Sequence, residues 1–390
     1  MMQTPLLKAQ FLLDPAVTYL NFGSYSACPR PIFEDYQKWQ LELEREPYQF
    51  ITRKGLDYLR QSREALAGYI HCDADDLVFV TNPSYAANII AKSLQLEPGD
   101  EVLGTDLEYG AFDRTWNYYC RRAGARYVRQ PVELPVVSKE KFIEDFFKEV
   151  SNKTKLISIS QITSTTALIF PVKEICEIAR KKGLLTFVDG AHVPGHIPLD
   201  LSDLGADIYT GACHKWMLTP KGCSFLYVRK ELQHLFDPLV VSWGYESATP
   251  SRSTFLDYHQ TQGTRDFSAF LTVPRAIRFM EENNWEDVAA GCRALVRDNA
   301  SRFYELFGST PLSPLTEEFL GQMCSVPIKT LQPEKLQRHL YEAYQIEVPV
   351  MKQGERKFLR YSVNGFNGQG DLDRLYEAMK EIKEGDLGLL

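Results

Sequence analysis

Short apolar runs alternate with amphipathic stretches between about residue 75 and residue 230. The runs are rich in β-branched and aromatic residues, which is typical of buried strands, and the stretches between them have the spacing of helices. Continuous apolar strands that alternate with helices predict a mostly parallel sheet with helices on both faces. The predicted strands are 77–81, 101–106, 125–132, 155–160, 184–190, 206–211 and 223–230.

Downstream of residue 270 the pattern changes to longer helices separated by short apolar segments. Because 390 residues are many for one core, this change predicts a second, smaller α+β domain that the N-terminal segment joins. We therefore predict an α/β fold with a large domain over 20–268 and a small domain made of 1–19 and 269–390. The predicted helices are 272–285, 334–344 and 371–384, and the predicted strands are 322–330 and 358–364.

Composition and charge exclude several classes of partner. A net charge of −7 offers no basic surface to nucleic acid or to an anionic membrane. No apolar run approaches the roughly 20 residues that span a bilayer, and the first residues lack the pattern of a signal peptide. The eight cysteines are scattered without a C-x-x-C pair, which predicts reduced thiols, a cytoplasmic location and no metal site.

Candidate catalytic residues follow two neighbouring strands of the predicted sheet, where ligands bind in open α/β folds. Asp189 ends the most apolar strand, and His192 follows three residues later. Lys215 comes after the next strand, in the apolar sequence TGACHKWMLTP. Such surroundings favour a partly neutral amine, which can form an imine with an aldehyde. A lysine that reaches the surface and an aspartate that caps a helix are the alternatives.

A second group of polar residues is suited to a phosphate. Ser84 and Tyr85 lie where a helix begins after the first strand, and amides at a helix start bind anions. His214 adjoins Lys215, and Ser164 lies in a hydroxyl-rich segment after the strand at 155–160. Each signal is weak alone, since helix caps and polar loops are common. Together, a phosphate cradle, a carboxylate and an amine match the three handles of pyridoxal 5′-phosphate.

Longer motifs connect these residues to a known family. The sequence resembles the class V aminotransferase-like, fold-type I pyridoxal-phosphate enzymes over nearly its whole length. The branch it resembles most is the isopenicillin N epimerase-like one, which also contains C–S lyases and is related to cysteine desulfurases. The motifs are DGAH (189–192), CHKWMLTPKG (213–222), YLNFGSYSACPRPI (19–32), SWGYE (242–246), QGTRDFSAFLTVPRAI (262–277) and YQIEVPV (344–350).

The resemblance implies roles for the residues near the cofactor ring. Lys215 would hold the cofactor as an imine, and Asp189 would pair with the pyridine nitrogen. His192 would reach the phenolic oxygen, with Ser164 beside it. Tyr109 lies where relatives place a ring stacked on the cofactor; without the resemblance, a tyrosine of the core is the plainer interpretation.

The resemblance also implies a phosphate site that two subunits share. Ser84, Tyr85 and His214 would bind the phosphate, although many relatives have threonine at the position of Tyr85 and a polar residue at that of Ala212. Thr264 would reach the phosphate of the neighbouring subunit, which implies a homodimer.

For the substrate, the resemblance implies an amino acid whose carboxylate is bound by Arg360, with Asn21 lining the same pocket. A strand arginine is otherwise usually a solvated surface residue. Cysteine desulfurases carry a nucleophilic cysteine shortly before this arginine, but residues 345–360 contain none, and Cys324 lies far upstream. Persulfide formation is therefore disfavoured, although a part for the thiol of Cys213 stays open.

The expected activity begins with removal of the α-proton of an amino acid. Three outcomes remain open: elimination by a C–S lyase, which we favour because it needs no second base, epimerisation, and transamination. A regulatory protein that binds the cofactor without catalysis is disfavoured because usable residues occupy every catalytic position. A dehydrogenase is rejected because the first strand is not followed by G-x-G-x-x-G.

Overall fold

A seven-stranded sheet forms the centre of the fold. The computed structural model describes residues 7–385 and 388–390. The strands in this part of the chain are β1 (Thr18–Tyr19), β2 (Leu77–Val80), β3 (Glu101–Thr105), β4 (Arg126–Gln130), β5 (Thr154–Ser160), β6 (Leu185–Gly190), β7 (Ile208–Gly211), β8 (Ser224–Val228), β9 (Met323–Ile328), β10 (Ile346–Glu347), β11 (Val350–Gln353) and β12 (Arg356–Ser362).

The central sheet has the order β2-β8-β7-β6-β5-β3-β4 and contains all seven strands predicted before residue 230. Strand β8 is antiparallel to both of its neighbours, and the other pairings are parallel. Strands β2, β3 and β7 are buried along their whole length, which explains their continuous apolar sequences. The prediction of a mostly parallel sheet is confirmed.

Helices cover this sheet and continue into the C-terminal region. Local sequence sets several ends: Pro83 occupies the first turn of one helix, and Gly124 ends another in the left-handed conformation at φ 70°. The α-helices are α1 (Arg30–Arg45), α2 (Pro47–Gln49), α3 (Gly55–Ile70), α4 (Pro83–Ser93), α5 (Gly110–Ala123), α6 (Lys139–Phe146), α7 (Val172–Lys181), α8 (Leu201–Leu204), α9 (Thr254–Gln260), α10 (Ser268–Leu271), α11 (Val273–Glu282), α12 (Trp285–Phe307), α13 (Pro333–Tyr344) and α14 (Gln369–Glu384).

A smaller antiparallel sheet of order β11-β12-β9 lies in the C-terminal region. Its strands β9 and β12 are the two predicted from the sequence there, and helices α12 and α13 contact it. The N-terminal segment joins this region, because β1 pairs with β10 and the Leu7 amide donates to the Gly365 carbonyl at 3.0 Å. None of the helices between residues 7 and 385 combines the length and apolar composition that a membrane crossing demands.

The register of the central sheet brings the candidate residues to one edge. Ser160 at the end of β5 lies opposite Asp189 in β6, which in turn lies opposite Thr210 in β7. The loops that carry Ser164, His192 and Lys215 therefore leave the sheet side by side, at the carboxyl ends of parallel strands.

Candidate active site

Lys215 lies at the centre of this edge and is half-buried. Its Nζ is 3.2 Å from Nε2 of His192 and 6.0 Å from the ring centroid of Tyr109. Burial lowers the pKa of Lys215 to about 8; the charge of Asp189 opposes this shift and that of Arg360 adds to it. A substantial fraction of the amine is therefore neutral near physiological pH, which is the form that reacts with an aldehyde.

Asp189 is a buried carboxylate, with 4% of its surface exposed. Burial raises its pKa to about 6. Two weaker effects lower the pKa: the Ala191 amide donates to Oδ1 at 2.9 Å, and Lys215 carries a positive charge. A shift of this size means that ionising the carboxyl costs roughly 3 kcal/mol more than in water. A protonated ring nitrogen would offset that cost, so the residue fits its predicted role beside a pyridinium.

His192 is buried between Lys215 and the protein interior. Burial lowers its pKa well below the usual value, and the charges of Lys215 and Arg360 act in the same direction. The imidazole is therefore neutral at physiological pH. A neutral imidazole can donate one hydrogen bond toward the phenolic oxygen of the cofactor without competing for a proton.

Arg360 is fully buried on β12 and has no acidic partner within the described residues. Nη1 donates to the carbonyl of Ser164 and lies 3.4 Å from its hydroxyl, while Nη2 donates to the hydroxyl of Ser24. Nε is buried without a hydrogen-bond partner, and burial lowers the pKa of Arg360 to about 10. A buried guanidinium that meets only neutral groups is costly, and a bound carboxylate would offset the cost.

Asn21 begins the tight turn that brings Ser24 to Arg360. Its carbonyl accepts from the amide of Ser24 at 3.1 Å, and its buried Oδ1 has no hydrogen-bond partner in the described chain. A Cβ on Gly23 would overlap the sulfur of Met323, so only glycine lets the turn pack this closely. Asn21 thus lies beside the predicted carboxylate site with a free acceptor.

Ser84 and Tyr85 lie in the first turn of α4, as predicted, but the donors of Tyr85 are already engaged. The side chain of Asn82 accepts from the Tyr85 amide at 2.9 Å, and the Tyr85 hydroxyl donates to Oε1 of Gln262 at 3.1 Å. Nε2 of Gln262 is buried without a partner among the residues described. The sequence prediction missed this amide, which lies next to the predicted phosphate site.

The other two predicted phosphate ligands differ in position. His214 is half-buried, with Nδ1 3.3 Å from the hydroxyl of Ser224, and burial lowers its pKa to about 4. It would therefore give a phosphate an N–H group and no positive charge. Thr264 is exposed. The structure thus gathers Lys215, Asp189, His192, Ser164 and Arg360.

Glu108 is a buried residue of the site that the sequence prediction missed. Its carboxylate accepts from the hydroxyl of Thr105 at 2.7 Å and from the amide and hydroxyl of Ser160 at 2.8 and 2.6 Å. Burial raises its pKa to about 7, and the charge of Asp189 adds to the shift. Glu108 ties the ends of β3 and β5 together and so fixes the adjacent Tyr109. An acidic residue three positions after the end of the buried strand β3 was the available signal.

Comparison with known proteins identifies the family of this chain. The profile of the family described as aminotransferase class-V matches residues 32–375. The chain belongs to this family. Isopenicillin N epimerase of Amycolatopsis lactamdurans is 34% identical over 391 residues, which cover 97% of this chain and 98% of that protein. L-cysteine desulfhydrase of Arabidopsis thaliana is 27% identical over 407 residues, covering 94% and 88%.

The fold of this chain also matches a solved structure. The apo structure of cysteine desulfurase from Thermococcus onnurineus NA1 superposes with a TM-score of 0.84 at 19% identity, covering 98% of this chain and 99% of that one. The predicted fold, family, class of enzyme and cofactor are confirmed: the chain is a pyridoxal-phosphate enzyme of the class V family. The roles of individual residues stay predictions, which the geometry around Lys215, Asp189 and Arg360 fits.

Proposed function

We propose that this family member is a C–S lyase that eliminates the β-sulfur of a cysteine-type amino acid. The observation that carries the proposal is the buried guanidinium of Arg360, which has no acidic partner in the described chain. Its charge helps to lower the pKa of both Lys215 and His192. An α-carboxylate bound there would hold the rest of an amino acid against the amine of Lys215.

The residues of the site divide the work of removing the α-proton. Bound pyridoxal phosphate supplies an electron sink that makes the α-hydrogen of an amino acid acidic. Arg360 fixes the carboxylate, which orients the Cα–H bond toward Lys215, and such orientation is worth several orders of magnitude in rate. The neutral amine of Lys215 accepts the proton. Asp189 would keep the ring nitrogen of the cofactor protonated, and Tyr109, whose ring centroid lies 6.0 Å from Nζ of Lys215, would stack on that ring.

The state of the nearby thiols favours release of free sulfide. Burial raises the pKa of Cys28 to about 12 and that of Cys324 to about 11, and raises the pKa of Cys213 well above its usual value. Thiols in this state are not nucleophiles, because the thiolate is the reactive form. The expected overall reaction converts L-cysteine and water into pyruvate, ammonia and hydrogen sulfide, and the Arabidopsis relative is named an L-cysteine desulfhydrase.

Epimerisation is the second candidate, since the epimerase of Amycolatopsis lactamdurans shares more sequence with this chain than the Arabidopsis desulfhydrase does. It shares the removal of the α-proton with the lyase and differs in where the proton returns. An epimerase needs a second proton donor besides Lys215, and Tyr109 would be the candidate for it. The preference for the lyase depends on elimination needing no such donor.

Product analysis with L-cysteine and L-cystine separates the candidates. We expect sulfide or persulfide sulfur, pyruvate and ammonia in matching amounts, and none of them with the Lys215→Ala variant. Formation of the D-amino acid in deuterated water without pyruvate would establish the epimerase instead. A keto acid that retains sulfur would indicate transamination and would likewise contradict the proposal.

We also propose a homodimer with shared sites, located in the cytoplasm, and a division into the large and small domains predicted from the sequence. An exposed apolar patch supports the dimer, because large patches of this kind mark interfaces. It comprises Val240, Val241, Trp243 and Tyr245, with Trp243 85% exposed, and it precedes the exposed Thr264. The eight free thiols support the location, which cell fractionation would test.

Replacing Trp243 with glutamate is expected to make the protein monomeric and to weaken cofactor binding at least about tenfold, because a charge is costly in an apolar interface. Light scattering and cofactor titration would measure the two effects. Leu331→Glu is the matched control, since Leu331 is 97% exposed and lies outside the patch. A Trp243→Glu protein that has the mass and cofactor affinity of the wild type would rule out this interface.

A further inference from the structure

Trp216 follows Lys215 directly and is fully buried behind the site. Its indole Nε1 lies 3.3 Å from Nδ1 of His192. An indole nitrogen only donates hydrogen bonds, so Nδ1 of His192 must be the acceptor. Since a neutral imidazole carries one proton, that proton is on Nε2.

The position of this proton determines the hydrogen bond between His192 and Lys215. Nε2 of His192 is 3.2 Å from Nζ of Lys215. When Nε2 carries the proton, the nitrogen of Lys215 must accept it, and only a neutral amine has the lone pair to do so. The bonds therefore run in one direction, from Trp216 through His192 to Lys215.

The indole of Trp216 is held rigidly in this position. The ring of His196 packs on it at a centroid distance of 4.1 Å, and Phe22 lies at 5.1 Å. His196 is itself fixed, because its Nδ1 contacts the His192 carbonyl at 2.8 Å and its Nε2 accepts from the Gln322 amide at 2.5 Å. This packing leaves the indole N–H directed at His192.

We propose that Trp216 is a positioning residue that keeps His192 in its Nε2-protonated form and thereby favours the neutral amine of Lys215. The proposal rests on the proposed function only in that Lys215 is the reacting amine. Loss of the indole N–H would free Nδ1 of His192 to carry the proton. Nε2 would then accept from a protonated Lys215 and stabilise its charge. The charged and titratable groups facing Lys215, apart from His192, remain in place: Asp189, Arg360, His214 and Tyr109.

The test is the pH dependence of cofactor uptake by the full-length chain after its cofactor has been removed. Growth of the visible absorption band gives the rate, which should rise with pH through a midpoint near 8 in the wild type. In Trp216→Phe we expect the midpoint to rise by about one pH unit. At pH values below the midpoint, this shift lowers the rate of cofactor uptake about tenfold. Phenylalanine keeps an aromatic ring next to His196 and removes the donor.

Trp285→Phe is the matched control. Trp285 is also buried nearby, and its indole donates to the Gly195 carbonyl at 3.2 Å, so its replacement loses a comparable hydrogen bond without touching His192. Its midpoint should equal that of the wild type. Equal shifts in the two variants would mean a general packing effect and would overturn the proposal, as would no shift in Trp216→Phe.

Two further measurements keep the proposal testable if Trp216→Phe folds poorly. Nitrogen NMR of histidine-labelled wild-type protein should show Nε2 of His192 protonated and Nδ1 unprotonated, and the opposite result would overturn the proposal. In a His192→Gln background, Trp216→Phe should shift the midpoint no further. A wild-type chain that took up no cofactor would instead contradict the proposed function, so the two failures are distinguishable.

Discussion

Replacing Lys215 with alanine is expected to lower kcat by at least about 10³-fold, because the variant loses the group that removes the α-proton. The exchange of the substrate α-hydrogen with deuterated solvent, followed by NMR, should stop as well. Added methylamine should restore part of the rate, since a small amine can enter the space that the side chain leaves. Rescue of this kind distinguishes a missing base from a disturbed fold.

Lys221→Ala is the control for this prediction. Lys221 is a second lysine on the same loop, desolvation lowers its pKa too, and its Nζ donates to the carbonyl of Ser26. We expect it to keep α-hydrogen exchange within a few-fold of the wild type. If Lys221→Ala lost the exchange and Lys215→Ala kept it, Lys221 would be the base and our assignment of Lys215 would be wrong.

Replacing Arg360 with methionine is expected to lower kcat/KM by about 10²- to 10³-fold, while stabilising the fold by about 1–3 kcal/mol. The first effect follows because a desolvated ion pair with the substrate carboxylate is worth about 2–5 kcal/mol. The second follows because the guanidinium is buried without an acidic partner in the described chain, so an apolar side chain of similar volume removes an uncompensated charge. Steady-state kinetics and urea unfolding would measure them.

Arg63→Met is the contrasting control. Arg63 is also buried, but its Nη2 is 3.1 Å from Asp75, and Nε donates to the Ala74 carbonyl at 3.1 Å. Its replacement should destabilise the protein and leave kcat/KM near the wild-type value. An Arg360→Met protein that is destabilised with unchanged kcat/KM would mean that Arg360 serves the fold and does not bind substrate.

The parts of this fold that depend on local sequence were predictable. Strands buried on both faces have continuous apolar sequences, so all seven strands of the central sheet could be located. Lys215 and Asp189 were found because a charged residue in apolar surroundings at a strand end is unusual and needs a reason. Together with the predicted phosphate cradle they indicated the cofactor, and longer motifs then indicated the family, which the match to the class V profile confirms.

The parts that depend on contacts between distant segments were not predictable from these patterns. The antiparallel direction of β8 leaves no mark on its own residues, since its apolar run reads like those of its parallel neighbours. The short strands β10 and β11 were missed because two to four residues are too few to show an alternation of apolar and polar positions. The contact of Ser24 with Arg360 joins positions 336 residues apart. Residue spacing in the sequence cannot predict a contact between positions so far apart.

Trp216 illustrates the same limit within a single motif. In the sequence it is an apolar neighbour of Lys215, and its burial alone was to be expected. Its hydrogen bond to His192 joins two loops that leave adjacent strands, β6 and β7, and it exists because the sheet register places those loops side by side. Short motifs in the sequence thus reveal the reactive residues of the site, whereas the hydrogen bonds that fix their protons come from the fold.

Peptide mapping after borohydride reduction tests most directly whether Lys215 holds the cofactor. Reduction converts an imine between the amine and the cofactor aldehyde into a stable bond, so mass spectrometry can locate the modified residue. The predicted result is one phosphopyridoxyl group per chain, on the peptide that contains Lys215. Modification of Lys221 or of any other lysine, with Lys215 left free, would contradict the account.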